Sequence, residues 1–267
     1  MKLAICPDAT AARQVAARVI SHQIRKKPAS VLGLATGRTM EAIYRLLARE
    51  HTEHGLDFSA VTTFNLDEYV GLPGTHDQSY RYYMQTHLFD HVNVTTAQTH
   101  VPDGAASDPD AEAEAYDTSI AASGGIDLQL LGLGENGHIG FNEPLSALSS
   151  RTRVVTLDCA TLEQNAGMFG GDATKVPTRA LTMGTGTILD SRETLLVVTG
   201  AAKADILARV VEGPVSALVP GSALQLHQHC LVILDEAAAS GLTQRAMIDW
   251  QMRHDPELTD LLTATSS

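Results

Sequence analysis

Short apolar runs recur along the chain, each followed by a polar, often glycine-bearing segment and then by apolar residues at helical spacing. Residues 3–6 read as a first strand, and Asp8 is placed to cap a helix with Ala12, Val15, Ala16, Val19 and Ile20 on one face, closed by Lys26-Lys27-Pro28. Residues 31–35 form a second strand, which passes through Thr36-Gly37-Arg38-Thr39 into a helix bearing Ile43, Leu46 and Leu47, and residues 61–65 a third. Ser79 starts a helix with Tyr80, Tyr82, Tyr83, Leu88 and Phe89; residues 110–123 read as an acidic, exposed helix closed by Gly124-Gly125. Residues 126–131 are a buried strand, 151–157 alternate as another, and Asp158 begins a helix towards Asn165. The glycines of 167–174 predict a mobile segment, and 180–190 a strand-loop-helix unit. Residues 193–199 and 230–234 are further strands, Asp235 caps a helix, and after Pro256 come a short helical run and a polar end. Strands alternating with helices predict one domain over 1–267, a three-layer α/β/α sandwich around a mainly parallel, Rossmann-like sheet.

Composition narrows the partners. A formal charge of −12 argues against a nucleic-acid backbone or an anionic membrane as the main partner. The three cysteines, Cys6, Cys159 and Cys230, are odd in number, lie among apolar residues and lack metal-ligand spacing, so reduced core thiols are expected. That suits a cytoplasmic location. The first apolar run is too short for a signal peptide, and none is long enough to span a bilayer. Homo-oligomerisation stays open.

The candidate chemistry centres on residues 130–144, Leu-Leu-Gly-Leu-Gly-Glu-Asn-Gly-His-Ile-Gly-Phe-Asn-Glu-Pro. A buried strand here hands over to a polar loop at the sheet edge, where ligands of open α/β sheets sit. His138 can titrate near neutral pH, with Asn136 before it and Glu143 behind it. A carboxylate beside an imidazole fixes its orientation and favours its charged form, as a proton shuttle requires. A loop of this kind can also be a turn whose imidazole satisfies local backbone groups. Thr36, Gly37, Arg38 and Thr39 place backbone N–H groups and the positive end of a helix dipole at one point, a ready anion site. Asp67-Glu68 follows the third strand directly, and Lys203, early in a helix against the dipole, suits an anion or simply solvent. Thr36, Asp67, His138 and Lys203 all follow strands and can meet in one crevice. A phosphate clamp, a carboxylate base and a His–carboxylate pair suit an aldose–ketose rearrangement of a sugar phosphate without metal or redox cofactor.

Four segments carry a resemblance: residues 132–144, the run Phe-Asn-Leu-Asp-Glu-Tyr-Val-Gly-Leu-Pro at 64–73, Ala-Thr-Gly-x-Thr at 35–39, and Gly-Ala-Ala-Lys-Ala at 200–204. Together they resemble the isomerising glucosamine-6-phosphate deaminase family, over nearly the whole chain. The resemblance implies conversion of glucosamine 6-phosphate and water to fructose 6-phosphate and ammonia. It implies Asp67 as the base moving a proton from C2 to C1, and His138 with Glu143 as the ring-opening shuttle. Asn136, where some relatives carry Asp, would orient the imidazole without adding charge. The phosphate would be held by Thr36, Gly37, Arg38, Thr39 and Lys203, with Tyr80 as a substrate or lid contact. Gly167 stands where many relatives carry a phosphate-binding arginine, and Arg38 is expected to restore that charge. Val155 replaces a basic residue used in regulated relatives, so little activation by an acetylated sugar phosphate is expected. The rival readings are a deaminase for another amino-sugar phosphate such as galactosamine 6-phosphate, a 6-phosphogluconolactonase, and a non-catalytic sugar-phosphate sensor.

Overall fold

The apolar runs become the strands expected of them, and the polar segments between them hold the helix starts. The computed structural model describes residues 1–263; the last part of the polar end lies outside the described residues. The first elements are β1 (Lys2–Cys6), α1 (Ala9–Lys26), β2 (Val31–Leu34), α2 (Arg38–His54), β3 (Thr62–Asn65), β4 (Asp67–Tyr69), α3 (Tyr80–His87), β5 (Thr99–His100) and α4 (Pro109–Ala122). Then come β6 (Leu128–Leu131), β7 (Arg153–Thr156), α5 (Cys159–Asn165), β8 (Arg179–Thr182), α6 (Thr185–Leu189), β9 (Glu193–Val198) and α7 (Ala204–Val211). The last are β10 (Cys230–Asp235), α8 (Glu236–Ala239), α9 (Arg245–His254) and α10 (Pro256–Thr263). Asp8 caps α1 by accepting the Ala11 N–H at 2.8 Å, and Asp235 caps α8 through the Ala238 N–H at 2.8 Å.

Seven strands pair in the order β1-β10-β9-β6-β2-β3-β5, every pairing parallel. The central β2 and β6 are buried at every position, as strands covered by helices on both faces must be. This is the three-layer α/β/α sandwich. A second sheet, β4-β8-β7, is antiparallel and was not expected as a separate unit. The chain changes sheets at Leu66, whose N–H bonds Leu34 O at 3.0 Å while its carbonyl accepts the Met183 N–H at 2.7 Å. Over the small sheet lies an aromatic cluster built on Tyr69, Tyr80 and Phe141, with Val155 packed against it.

Several expectations change. Cys6 and Cys230 are buried thiols, but Cys159 is exposed at the start of α5, because that helix lies over the small sheet and not in the main core. The segment 167–174 carries 3-10 turns that were not expected, at Ala166–Phe169 and Ala173–Lys175, with Phe169 edge-on to Tyr69 at 5.7 Å. Helix α3 stops at His87, and Phe89 belongs to a 3-10 turn. No helix among the described residues is long and apolar enough to cross a membrane.

Gly104 passes so close to β4 that a Cβ there would sit 2.2 Å from Tyr69 O and 2.7 Å from Leu72 O. Neither atom can yield without moving backbone. Gly104→Ala is expected to cost about 1–3 kcal/mol of unfolding free energy, read as a lower urea midpoint at unchanged m-value.

Candidate active site

Strands β9, β6, β2 and β3 are consecutive in the sheet, and each delivers one part of the site at its carboxyl end. A cavity of about 500 Å³ opens there. Asp67, Tyr80, His138 and Lys203 line it together with Thr36, Gly37, Arg38 and Thr39. Asn136 and Glu143 are not among its lining residues and stand behind the imidazole.

Asp67 is paired in register with Thr182 on β8, which fixes its backbone; its side chain is 6% exposed and has no hydrogen-bond or ionic partner among the described residues. Burial, and then the charge of Glu68, push its carboxyl up to about 8. Glu68 is buried too, but it accepts the N–H groups of Tyr69 at 2.9 Å, Tyr80 at 2.9 Å and Arg81 at 3.0 Å. Burial raises its carboxyl to about 6, and these donors hold it from rising further.

The His138 ring lies directly over Gly134, where a Cβ would come within 2.2 Å of Nε2, so only glycine admits it. Its Nδ1 stands 3.4 Å from Glu143 Oε2, an electrostatic contact longer than a hydrogen bond. Glu143 is in turn held by the Asn136 amide at 2.7 Å and the Thr161 hydroxyl at 2.5 Å. Burial would raise the Glu143 carboxyl, but the facing imidazole, Thr161 and Asn136 outweigh it and hold it at about 2. Asn136 also accepts the His138 backbone N–H at 3.1 Å. The site loop is pinned to the small sheet, with the Phe141 N–H on Thr182 Oγ1 at 3.0 Å and the Asn142 amide on Met183 O at 2.8 Å.

At the other side, α2 begins at Gly37 (φ 118°) without a side-chain cap, so its N-terminus faces the cavity open to an anion. Lys203 does not lie in the first turn of a helix: it closes the 3-10 turn Ala201–Lys203 and caps α7. Burial lowers the pKa of its ammonium; Glu135, 3.9 Å away, opposes this and Arg38 adds to it. Arg38 is exposed at the cavity wall, whereas Gly167 is absent from the lining, which holds Gln164, Asn165 and Met168 from that segment. Tyr80 is a packed wall, tilted against Tyr69 at 5.1 Å and stacked on Phe141 at 6.0 Å. Sequence reasoning left out Thr161, Glu135, and Tyr83, whose hydroxyl donates to Gly37 O at 2.8 Å. It also gave Glu68 no role, although the acid pair itself was the available signal. Among the described residues, no group of three or more His, Cys, Asp or Glu is arranged to hold a metal.

Residues 8–233 match the model of the family of glucosamine-6-phosphate isomerases and 6-phosphogluconolactonases. The chain belongs to that family. A glucosamine-6-phosphate deaminase of Shewanella loihica is 51% identical over 245 residues, covering 92% of this chain and 91% of its own. That of Cellvibrio japonicus is 49% identical over 262 residues, covering 98% and 99%. A solved monomeric glucosamine-6-phosphate deaminase, 44% identical, superimposes with a TM-score of 0.88 over 90% of this chain and 100% of its own. The 6-phosphogluconolactonase from Trypanosoma cruzi, 21% identical with a TM-score of 0.74 over 91% and 97%, shares the fold.

In this isomerase and lactonase family member, the cavity wall holds an acid that folding keeps protonated. The folded pKa of Asp67 lies above that of an unfolded aspartate, so its contribution to stability is complete below about pH 4. That contribution is lost as pH rises through about 8. Asp67→Asn needs no proton, so its melting temperature is expected to exceed that of the parent at pH 8, with the gap closing towards pH 4.

Proposed function

We propose that the chain converts glucosamine 6-phosphate and water to fructose 6-phosphate and ammonia, with Asp67 as the base and His138 as the ring-opening shuttle. The observation that carries this is that Asp67 and His138, distant in sequence, face one cavity that also holds the α2 N-terminus and Lys203. Full-length identities near 50% to glucosamine-6-phosphate deaminases, against about 20% for the lactonases, support the deaminase reading over the lactonase.

In this mechanism the phosphate sits on the N–H groups at the start of α2, with Lys203 and Arg38 as counter-charges. Anchoring one end of the sugar aligns the reacting carbons at the other. His138, oriented by Glu143, takes the proton of the C1 hydroxyl and returns one to the ring oxygen, opening the ring. The Asp67 carboxylate then removes the C2 proton while the C2 ammonium passes a proton to O1, giving an enolamine, and Asp67 delivers its proton to C1. The C2 amine becomes an iminium; water adds to C2, and ammonia leaves to give the ketone. A carboxylate whose pKa is about 8 is a far stronger base than a solvated one, which this C–H step needs.

Ammonia and ketose phosphate measured together from a panel of aminohexose 6-phosphates should show the gluco substrate used best; release of neither product from it would overturn the reading. Asp67→Asn should lower kcat by about 10²–10⁴-fold. Arg38→Ala should raise KM for the phosphorylated sugar about tenfold, the loss of one charge-assisted bond, with a smaller change in kcat. An unmoved KM would remove Arg38 from the phosphate site.

A further inference from the structure

Glu68 is a buried acid that the chemistry above does not use, and its surroundings are those of a structural anchor. Its carboxylate occupies the N-terminus of α3, with one oxygen on the Tyr80 N–H and the other on the Arg81 N–H. Negative charge at that end of a helix complements the macrodipole, and Ser79 caps the same turn by accepting the Tyr82 N–H at 3.0 Å. The Arg81 guanidinium ties the helix to β5 through Thr99 Oγ1 and Thr99 O, both at 2.8 Å. One turn further along α3 stands Tyr83, ring packed on His87 at 4.4 Å, hydroxyl on Gly37 O at 2.8 Å. Gly37 is the residue at which the phosphate loop turns into α2. Two sets of hydrogen bonds, joined by the backbone of α3, thus connect the residue beside Asp67 to the carbonyl at the root of the Thr36 to Thr39 loop.

We propose that Glu68 is a positioning residue, which through α3 and Tyr83 sets the distance between the phosphate loop and Asp67. This rests on the deaminase reading. A sugar phosphate held at one end reacts at the other only if that span is right, and an error of about 1 Å is enough to slow the reaction. The span is not set by β4 alone, because base and loop lie on different elements.

A second consequence concerns charge. The groups facing Asp67 are Glu68 and Tyr69 on β4, Tyr80 on α3, Tyr44 on α2 and Tyr116 on α4, with His138 across the cavity and Arg81 facing Glu68. Burial raises the pKa of all four tyrosines, which leaves them neutral in the working range. Burial is the main cause of the raised Asp67 carboxyl, and Glu68 is the charge that adds to it. Glu68→Gln keeps the shape, removes the charge and turns one acceptor into a donor against an N–H.

The test compares the parent, Tyr83→Phe, Glu68→Gln and the double variant by ammonia release from glucosamine 6-phosphate. Tyr83→Phe should lower kcat about tenfold, with a smaller rise in KM, because the span loosens while the phosphate contacts stay. Glu68→Gln should lower kcat likewise and move the acidic limb of kcat/KM, expected near pH 8 in the parent, to lower pH. The double variant should have a kcat no worse than Glu68→Gln alone, since both break one path. An unchanged kcat in Tyr83→Phe, multiplicative effects in the double variant, or an unmoved acidic limb would each overturn the proposal. Should Glu68→Gln fail to fold, Glu68→Asp decides, since it keeps the charge and draws the carboxylate back from the α3 N–H groups: a lower kcat supports the path, an unchanged kcat sinks it. A parent that releases no ammonia overturns the deaminase reading, and a double-mutant cycle of Glu68→Asp and Tyr83→Phe in urea unfolding still tests the path: coupled energies support it, additive ones sink it.

Discussion

Asp67 is a carboxyl group buried inside the protein with no cation beside it among the described residues, and much of the surrounding structure follows from that requirement. A lysine or arginine at hydrogen-bond distance would make the site more stable and the acid a weaker base. The protein instead fixes the residue through its backbone: β4 is locked to β8, with Asp67 opposite Thr182. The hydroxyl of the same Thr182 receives the Phe141 N–H, so one residue of the small sheet holds both Asp67 and the loop that carries His138. On the proposed reading, the substrate carbon next to Asp67 bears an amine. The positive charge missing from the protein can then arrive with the sugar, and the acid can ionise when it is needed.

The order of strands explains why four segments far apart in sequence meet. Lys203, His138, the Thr36 to Thr39 loop and Asp67 follow β9, β6, β2 and β3, four neighbours in a parallel sheet. Parallel pairing puts all four carboxyl ends on one edge. Lys203, Arg38 and the start of α2 line the same cavity as the acid and the imidazole. On the proposed reading, the substrate presents its anion to the first group and its reacting carbons to the second.

Much of this was legible in the residues. Local patterns gave the strands of the main sheet except the two-residue edge strand β5, together with the Asp8 and Asp235 caps and the polar loops at strand ends, because each depends on neighbours within a few positions. The Asp67 and His138 assignments rested on long motif strings. The small sheet was not legible: β4 is three residues long, and its partner β8 is more than a hundred positions away. For the same reason Thr161 could not be linked to Glu143, nor Tyr83 to Gly37, since both bonds cross between elements whose packing no local pattern specifies. Cys159 was misplaced because apolar neighbours in sequence do not report which face of a short helix meets the core.

Asn136 shows how a departure from a motif can be read physically. Its amide donates to Glu143 at 2.7 Å while its carbonyl accepts the His138 N–H at 3.1 Å. An ionised aspartate at this position would set a second negative charge against Glu143 at hydrogen-bond distance, and one of the two would have to hold a proton. The amide supplies the donor permanently. Glu143 can then remain fully ionised, consistent with a carboxyl held at about 2, and the imidazole meets one fixed charge at all working pH values. On the proposed reading, the shuttle depends on a single carboxylate that is held by one hydroxyl and one amide, neither of which titrates with it.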